Sequence, residues 1–373
     1  MTVMPETGLP KGRLSSLDAF RGLTIAGMIL VNNPGSWTHV YAPLRHAEWH
    51  GWTPTDLIFP FFLFIEGVAI PFSFGKRLER GDSRFGLMIH VVRRAAILFG
   101  LGLLMRAVPR FDFETLRIMG VLQRIGLVYL AAAPAYLFLG RRGRTWLTAG
   151  LLLGYWALMT LVPVPGYGAG DLSPDGNLAA HLDRVILGDR LWAGTWDPEG
   201  LLSTLPAVAT TLLGIFTGEW LRADGTKERK AVGLILAGGL GVGLGLLWDL
   251  VFPINKGIWT SSYVLFTSGA GLLLLGLFFW AIEVKGLRAW AQPFIVYGMN
   301  AIAVFVASGM VAKQMGLTRV GSEGSTLKGW IYEELFASWA GTLNGSLAFA
   351  ISYVLFWLGI MWILHRRRIF IKI

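Results

Sequence analysis

Ten apolar stretches recur along this chain, at 17–31, 54–74, 85–105, 115–139, 146–161, 201–221, 231–252, 259–281, 293–315 and 339–364. A helix needs roughly 20 apolar residues to cross about 30 Å of hydrocarbon. Lipid offers backbone N–H and C=O groups no partners, so only helices and closed barrels can span it. Barrel strands would be about ten residues long with alternating polarity, and these stretches are longer and continuously apolar. The pattern therefore predicts an all-α, polytopic integral membrane bundle of about ten transmembrane helices. Composition agrees: 54% of the 373 residues are hydrophobic and only 15% charged, against about 25% charged in an ordinary soluble domain. A soluble enzyme and a disordered chain are both excluded. Residues 1–373 read as one transmembrane domain, with a flexible tail at 1–12 and long loops at 162–200 and 316–338. The first stretch has no small-residue cleavage site and reads as a retained span.

Lysine and arginine orient the bundle. With the N-terminus inside, the inner segments hold 21 of them and the outer segments 10. Both termini are therefore expected in the cytoplasm, the loops 162–200 and 316–338 in the periplasm, and the protein in a bacterial inner membrane. The same asymmetry accounts for the net charge of +10 without nucleic acid. There is no cysteine, which excludes disulfides and a thiolate nucleophile. Of the six histidines, only His46 and His50 stand four apart, and they fall in the short loop between the first two stretches and not on a helical stretch, so no metal site is expected.

Ionisable and amide groups inside spans are costly and mark function by default. Asp56 and Glu66 fall in the second stretch, Gln123 and Arg124 in the fourth and Asn300 in the ninth, while Asn32 and Asn33 end the first. Asp18 and Arg21 read as a structural pair at i, i+3. Glu66 reads either as a partner of Arg124 or as an acceptor from a hydroxyl. Asn300 has a bland reading as a bond between helices. Asp56 also closes Thr53-Pro54-Thr55-Asp56, an N-cap threonine, a proline at the first helical position and an acid in the first turn. The short loop between the first two spans carries His46, Glu48 and His50. Histidine is the side chain best suited to proton transfer near neutral pH. Asn32, His46 and Asp56 all lie at outer ends of consecutive helices. There a carboxylate can orient an imidazole and an asparagine can bond the ring or a developing oxyanion. A solvated surface histidine is the competing reading.

Around these residues the chain resembles the heparan-α-glucosaminide N-acetyltransferase family. The matching segments are RLSSLDAFRGLTIAGMILVNN (13–33), RHAEWHGWTPTDLIFPFFLFIEG (45–67), GVLQRIG (120–126), LVPVPGYGAGDLSPDGN (161–177), WDPEGLLSTLPA (196–207), FPINKGIWTSSYV (252–264), YGMNAIAVFV (297–306) and the ending RRRIFIKI. The family's catalytic histidine falls on His46, its partner aspartate on Asp56 and its outer-end asparagine on Asn32. Its Gln-Arg pair falls on Gln123 and Arg124, and its late Met-Asn pair on Met299 and Asn300. The loop from Asn32 to His46 is longer than the family pattern, which implies a different acceptor pocket.

The resemblance implies transfer of an acetyl group from cytosolic acetyl-CoA to an amino sugar or related glycan on the periplasmic side. His46 is then the base, Asp56 its orienter and Asn32 a donor to oxyanion or substrate. Direct transfer is preferred to a relay through acetylated His46. Because CoA enters from the cytoplasm, its arm must thread a polar slot between helices, and Gln123, Arg124, Ser262 and Asn300 are the expected liners. Arg93, Arg94, Lys230 and Lys285 are available for the CoA phosphates. The expected partners are acetyl-CoA, the sugar acceptor and the lipid bilayer, with a homodimer left open. A membrane sugar transporter and a non-catalytic partner in uptake or regulation remain alternatives at this point.

Overall fold

The computed structural model describes residues 14–320 and 324–371. The tail expected at 1–12 lies outside the described residues. Each of the ten apolar stretches carries a helix. These are α1 (Ser15–Asn32), α2 (Ile58–Glu79), α3 (Arg84–Ala107), α4 (Val121–Phe138) and α5 (Arg141–Leu161), then, after a short helix α6 (Leu178–Leu187), α7 (Thr204–Arg222), α8 (Lys227–Asp249) and α9 (Ser261–Phe279). The ninth stretch is divided between α10 (Gln292–Met299) and α11 (Ala301–Leu317), and a short α12 (Leu327–Tyr332) precedes α13 (Ser338–Arg366).

Six segments among the described residues are long and apolar enough to cross a membrane, and the pair α10 and α11, bent by 73°, would make a seventh. By that measure α1, α5 and α7 fall short of the ten-span expectation. The reason is polar content: α1 carries Asp18 and Arg21, α5 opens with three arginines, and α7 holds Thr204, Thr210, Thr211 and Thr217.

Two-residue hairpins, Pro163–Val164 with Gly168–Ala169 and Arg319–Val320 with Ser325–Thr326, are the strands among the described residues. The loop 162–200 is ordered by aromatic contacts. Trp196 packs edge-on against Trp49 at 4.9 Å between centroids and against Trp192 at 5.8 Å. The indole of Trp49 donates to the Leu172 carbonyl at 2.8 Å.

Helices α1 and α2 sit at the centre. One apolar cluster joins α2, α4, α7 and α9, a second joins α1, α2, α9 and α10, and a third joins α1, α10, α11 and α13. Small residues bring α2 and α7 to backbone contact. A Cβ on Gly67 would lie 2.0 Å from the Thr211 carbonyl oxygen, and one on Gly214 2.2 Å from that of Phe64. With lipid as apolar as the side chains, close packing and interhelical hydrogen bonds hold such helices together. The Thr211 hydroxyl, donating to the Leu63 carbonyl at 2.9 Å, is one of those bonds.

Candidate active site

Asp56 opens the second span in a 3₁₀ turn, Pro54–Leu57. Its Oδ2 accepts from the Ala47 and Thr53 backbone N–H groups, both at 3.0 Å. Its Oδ1 lies 2.6 Å from His46 Nδ1. Capping and orienting are thus done together by one carboxylate, which is 1% exposed. The two oxygens divide the work: one ties the His46 loop to the turn, and the other fixes the imidazole. Tyr263, from α9, donates to the Asp56 carbonyl at 2.5 Å, so the turn is also held from below. The His46 side chain is 52% exposed, so the imidazole stands at the surface of the site.

A third group completes the cluster. Lys256 Nζ lies 2.9 Å from His46 Nδ1, 3.2 Å from Nε2 and 3.5 Å from Asp56 Oδ1. Burial pushes this ammonium below its ordinary pKa, while the carboxylates of Asp56 and Glu199 hold it up in part. The turn that presents it is internally bonded. Asn255 N–H donates to Thr260 Oγ1 at 3.0 Å, and the Ile258 N–H donates to Asn255 Oδ1 at 3.1 Å. Trp259 sits there at φ 51°, a left-handed conformation that costs an L-residue about 1–2 kcal/mol. Burial of the whole indole, 0% exposed, offsets that cost. Sequence reasoning missed Lys256 because 210 positions separate it from His46. Its place in the block FPINKGIWTSSYV was the available signal.

The remaining sequence-selected residues are placed differently. Asn32 lines a cavity of about 800 Å³ at the same end of the bundle, with Ser36, Arg106 and Lys313, and no contact joins it to His46. Arg124 is fully buried. It donates to the Gly200 carbonyl at 2.9 Å and to the Ser203 hydroxyl, and it lies 5.0 Å over the Trp259 ring. It braces the loop before α7 and the turn of Lys256, and lines neither large cavity. Ser262 bonds Thr260 Oγ1 at 3.1 Å within that turn. Gln123 is buried against Gly102 and Gly120. Asn300 stands at the break between α10 and α11 and holds the chain end. Its Nδ2 donates to the Ile369 carbonyl at 3.1 Å, and its Oδ1 accepts from the Ile371 N–H at 2.8 Å. Glu66 faces Arg94 at 3.6 Å, not Arg124.

A second cavity, of about 790 Å³, is lined by Arg21, Glu66, Arg93, Arg94, Tyr129 and Ile371 among others. Met28 and Phe305 line both cavities. Together the two run beside α1 from Arg21 to Asn32, roughly 16 Å at the helical rise. The basic end of this path holds Arg93 and Arg94. Lys230 and Lys285 are turned elsewhere, to the Leu221 carbonyl and the Trp280 ring. No group of three metal-ligating side chains occurs among the described residues.

A family model described as heparan-alpha-glucosaminide N-acetyltransferase, catalytic, matches residues 13–238, more than half of the chain. The chain belongs to the heparan-alpha-glucosaminide N-acetyltransferase family. The curated heparan-alpha-glucosaminide N-acetyltransferase of Homo sapiens is 31% identical over 351 residues, covering 79% of this chain and 52% of the relative. That of Mus musculus is 31% identical over 360 residues, covering 81% and 54%. The chain thus spans about half the length of the curated relatives it matches. The stretch matched by the N-acetyltransferase model contains His46, Asp56, Asn32, Gln123 and Arg124, whereas Lys256, Ser262 and Asn300 lie beyond it.

Proposed function

We propose that this protein is an integral membrane acetyltransferase that moves an acetyl group from acetyl-CoA to an amino sugar or related glycan. The observation that carries the reading is the His46–Asp56 pair at 2.6 Å, inside the region matched by the catalytic family model. The match to a catalytic family model over residues 13–238 favours this reading over a transporter, in which a carboxylate–histidine pair would serve as a proton relay.

In the proposed reaction the acceptor amine or hydroxyl binds at His46 Nε2 and attacks the thioester carbonyl. Its proton passes to Nε2 as the new C–N or C–O bond forms. Asp56 stabilises the resulting imidazolium through Nδ1. The tetrahedral oxyanion then collapses, the C–S bond breaks, and the imidazolium proton goes to the departing CoA thiolate. A positioned acid–base group of this kind contributes about 10²–10⁴-fold. Direct transfer is the route proposed, and a covalent acetyl-histidine at Nε2 is the competing one.

The two cavities beside α1 support the donor side, although His46 lines neither of them. Their cations, Arg21, Arg93 and Arg94, suit the CoA phosphates, and their apolar lining suits the pantetheine arm. The Lys/Arg asymmetry supports a cytoplasmic donor and a periplasmic acceptor across a bacterial inner membrane. The test is turnover of purified protein with labelled acetyl-CoA and a panel of amino sugars, followed by mass spectrometry. Acetylated sugar from wild type and none from His46→Ala is the expected result. Equal rates in the two would refute the assignment. A stable acetyl label on His46 without acceptor would establish the two-step route instead.

A further inference from the structure

The proposed reaction has a base and an orienter, and its oxyanion still needs a charge. Asn32 was the sequence-level candidate, and it stands in a cavity with no bond to His46. Arg45, the cation next in sequence to His46, is turned away, with its Nε 2.8 Å from the Val40 carbonyl. The ammonium of Lys256 is 3.2 Å from His46 Nε2. A nucleophile delivering its proton to Nε2 must lie about 2.6–3.2 Å from that nitrogen. The carbonyl carbon it attacks is about 3–3.5 Å further on. The Lys256 ammonium lies beside both ring nitrogens, 2.9 Å from Nδ1 and 3.2 Å from Nε2, which puts it within reach of the carbonyl oxygen as that oxygen becomes an alkoxide.

We infer that Lys256 is a further catalytic residue, the electrophile whose ammonium stabilises the tetrahedral oxyanion of acetyl transfer. The inference rests on the acetyltransferase reading above and adds a residue to it. Three features fit the role. The ammonium is held by a turn whose backbone is bonded on both sides of it, so little reorganisation accompanies reaction. It shares Asp56 with His46, so one carboxylate positions both the base and the electrophile. It is largely removed from water, with 20% of the side chain exposed, where a fixed charge acts more strongly than in bulk solvent.

The charged and titratable groups facing Lys256 are His46 from its own loop, Asp56 from the turn before α2, and Glu199 from the loop before α7. Glu199 is itself engaged by Arg117 at 2.5 Å. Burial lowers the Lys256 pKa against the pull of the two carboxylates. The ammonium is therefore lost at a lower pH than that of an ordinary lysine, and activity must fall along a basic limb as it is lost.

The experiment measures kcat, KM and their pH profiles for wild type, Lys256→Met and Lys256→Arg, each checked for folding by thermal melting in detergent. Removing one oxyanion donor costs about 10²–10³ in kcat, so Lys256→Met should lose that much with little change in KM for acetyl-CoA. Lys256→Arg should keep part of the activity and lose the basic limb, because a guanidinium stays charged throughout the accessible range. If Lys256→Met fails to fold, the basic limb of Lys256→Arg decides alone. Unchanged kcat in Lys256→Met, or a basic limb that persists in Lys256→Arg, would overturn the inference while leaving the acetyltransferase reading intact. A wild type inactive with every acceptor would overturn both.

Discussion

Replacing Asp56 with asparagine keeps the shape of the site and removes its charge. The structure lets the consequence be worked out for both orientations of the new amide. Suppose its carbonyl takes the place of Oδ2 and accepts from the Ala47 and Thr53 N–H groups. The NH₂ group then faces His46 Nδ1, 2.6 Å away in the native site. Nδ1 must become the acceptor, the ring proton moves to Nε2, and the base nitrogen is already occupied. In a Ser-His-Asp triad the same exchange lowers kcat by about 10⁴ through the wrong tautomer. Suppose instead that the amide is flipped. Its NH₂ then opposes two backbone N–H groups, and leaving a buried donor unpaired costs about 1–3 kcal/mol. Either outcome weakens the site. We expect kcat to fall by about 10²–10⁴, equivalent to about 2.7–5.5 kcal/mol of transition-state stabilisation. KM for acetyl-CoA should change little, since neither residue lines the basic cavity. The assay is acetyl transfer by purified protein, with a melting curve to confirm that Asp56→Asn folds. A folded Asp56→Asn protein within about threefold of wild-type kcat would refute the orienting role.

Arg117 closes a buried network with Asp197 and Glu199, both at 2.5 Å. Arg117→Met strands two carboxylates and should destabilise the fold by about 3–5 kcal/mol, read as a large drop in Tm; an unchanged Tm would show the network to be unimportant. Asp183 is buried, which raises its pKa to about 6, and its Oδ1 accepts from the Leu201 N–H at 2.8 Å. A folded pKa above the unfolded value means that the neutral acid is favoured in the fold, so this stability is present at low pH and lost as pH rises through about 6. Asp183→Asn keeps an acceptor for Leu201 and should raise Tm at pH 8 relative to wild type, with little gain at pH 4; equal gains at both would contradict the titration. Asn300→Ala frees Ile371 from the wall of the basic cavity by removing two hydrogen bonds, each contributing about 0.5–1.5 kcal/mol. KM for acetyl-CoA should rise about tenfold with kcat preserved, and steady-state kinetics checks it.

Helix positions were legible because each is decided locally. A backbone that must satisfy its own hydrogen bonds forms a helix wherever the apolar run is long enough, and ten runs carry ten helices or helix pairs. The departures have tertiary causes. The fourth run reads as helical from 115, yet α4 begins at Val121, because Arg117 is drawn out to Asp197 and Glu199 some 80 residues away. The ninth run is continuous in hydropathy but breaks at Asn300, whose amide is bonded to the chain end. Apolarity counts residues and does not register a carbonyl 69 positions away.

The site divides along the same line. His46 and Asp56 were legible because ten residues and one Thr-Pro-x-Asp turn connect them, and such a turn forms from its own side chains. Lys256 and the Glu66–Arg94 pair were not, and neither was the seat of Arg124 beneath Trp259. A charged side chain takes whichever opposite charge or dipole the packing of distant helices brings near, and sequence spacing says nothing about that. The sequence by itself therefore determined where the chain is helical, which end carries the imidazole and which carboxylate holds it. Only the tertiary structure decided which cation stands beside that imidazole, because α8 and α9 must pack together before their connecting turn can deliver Lys256.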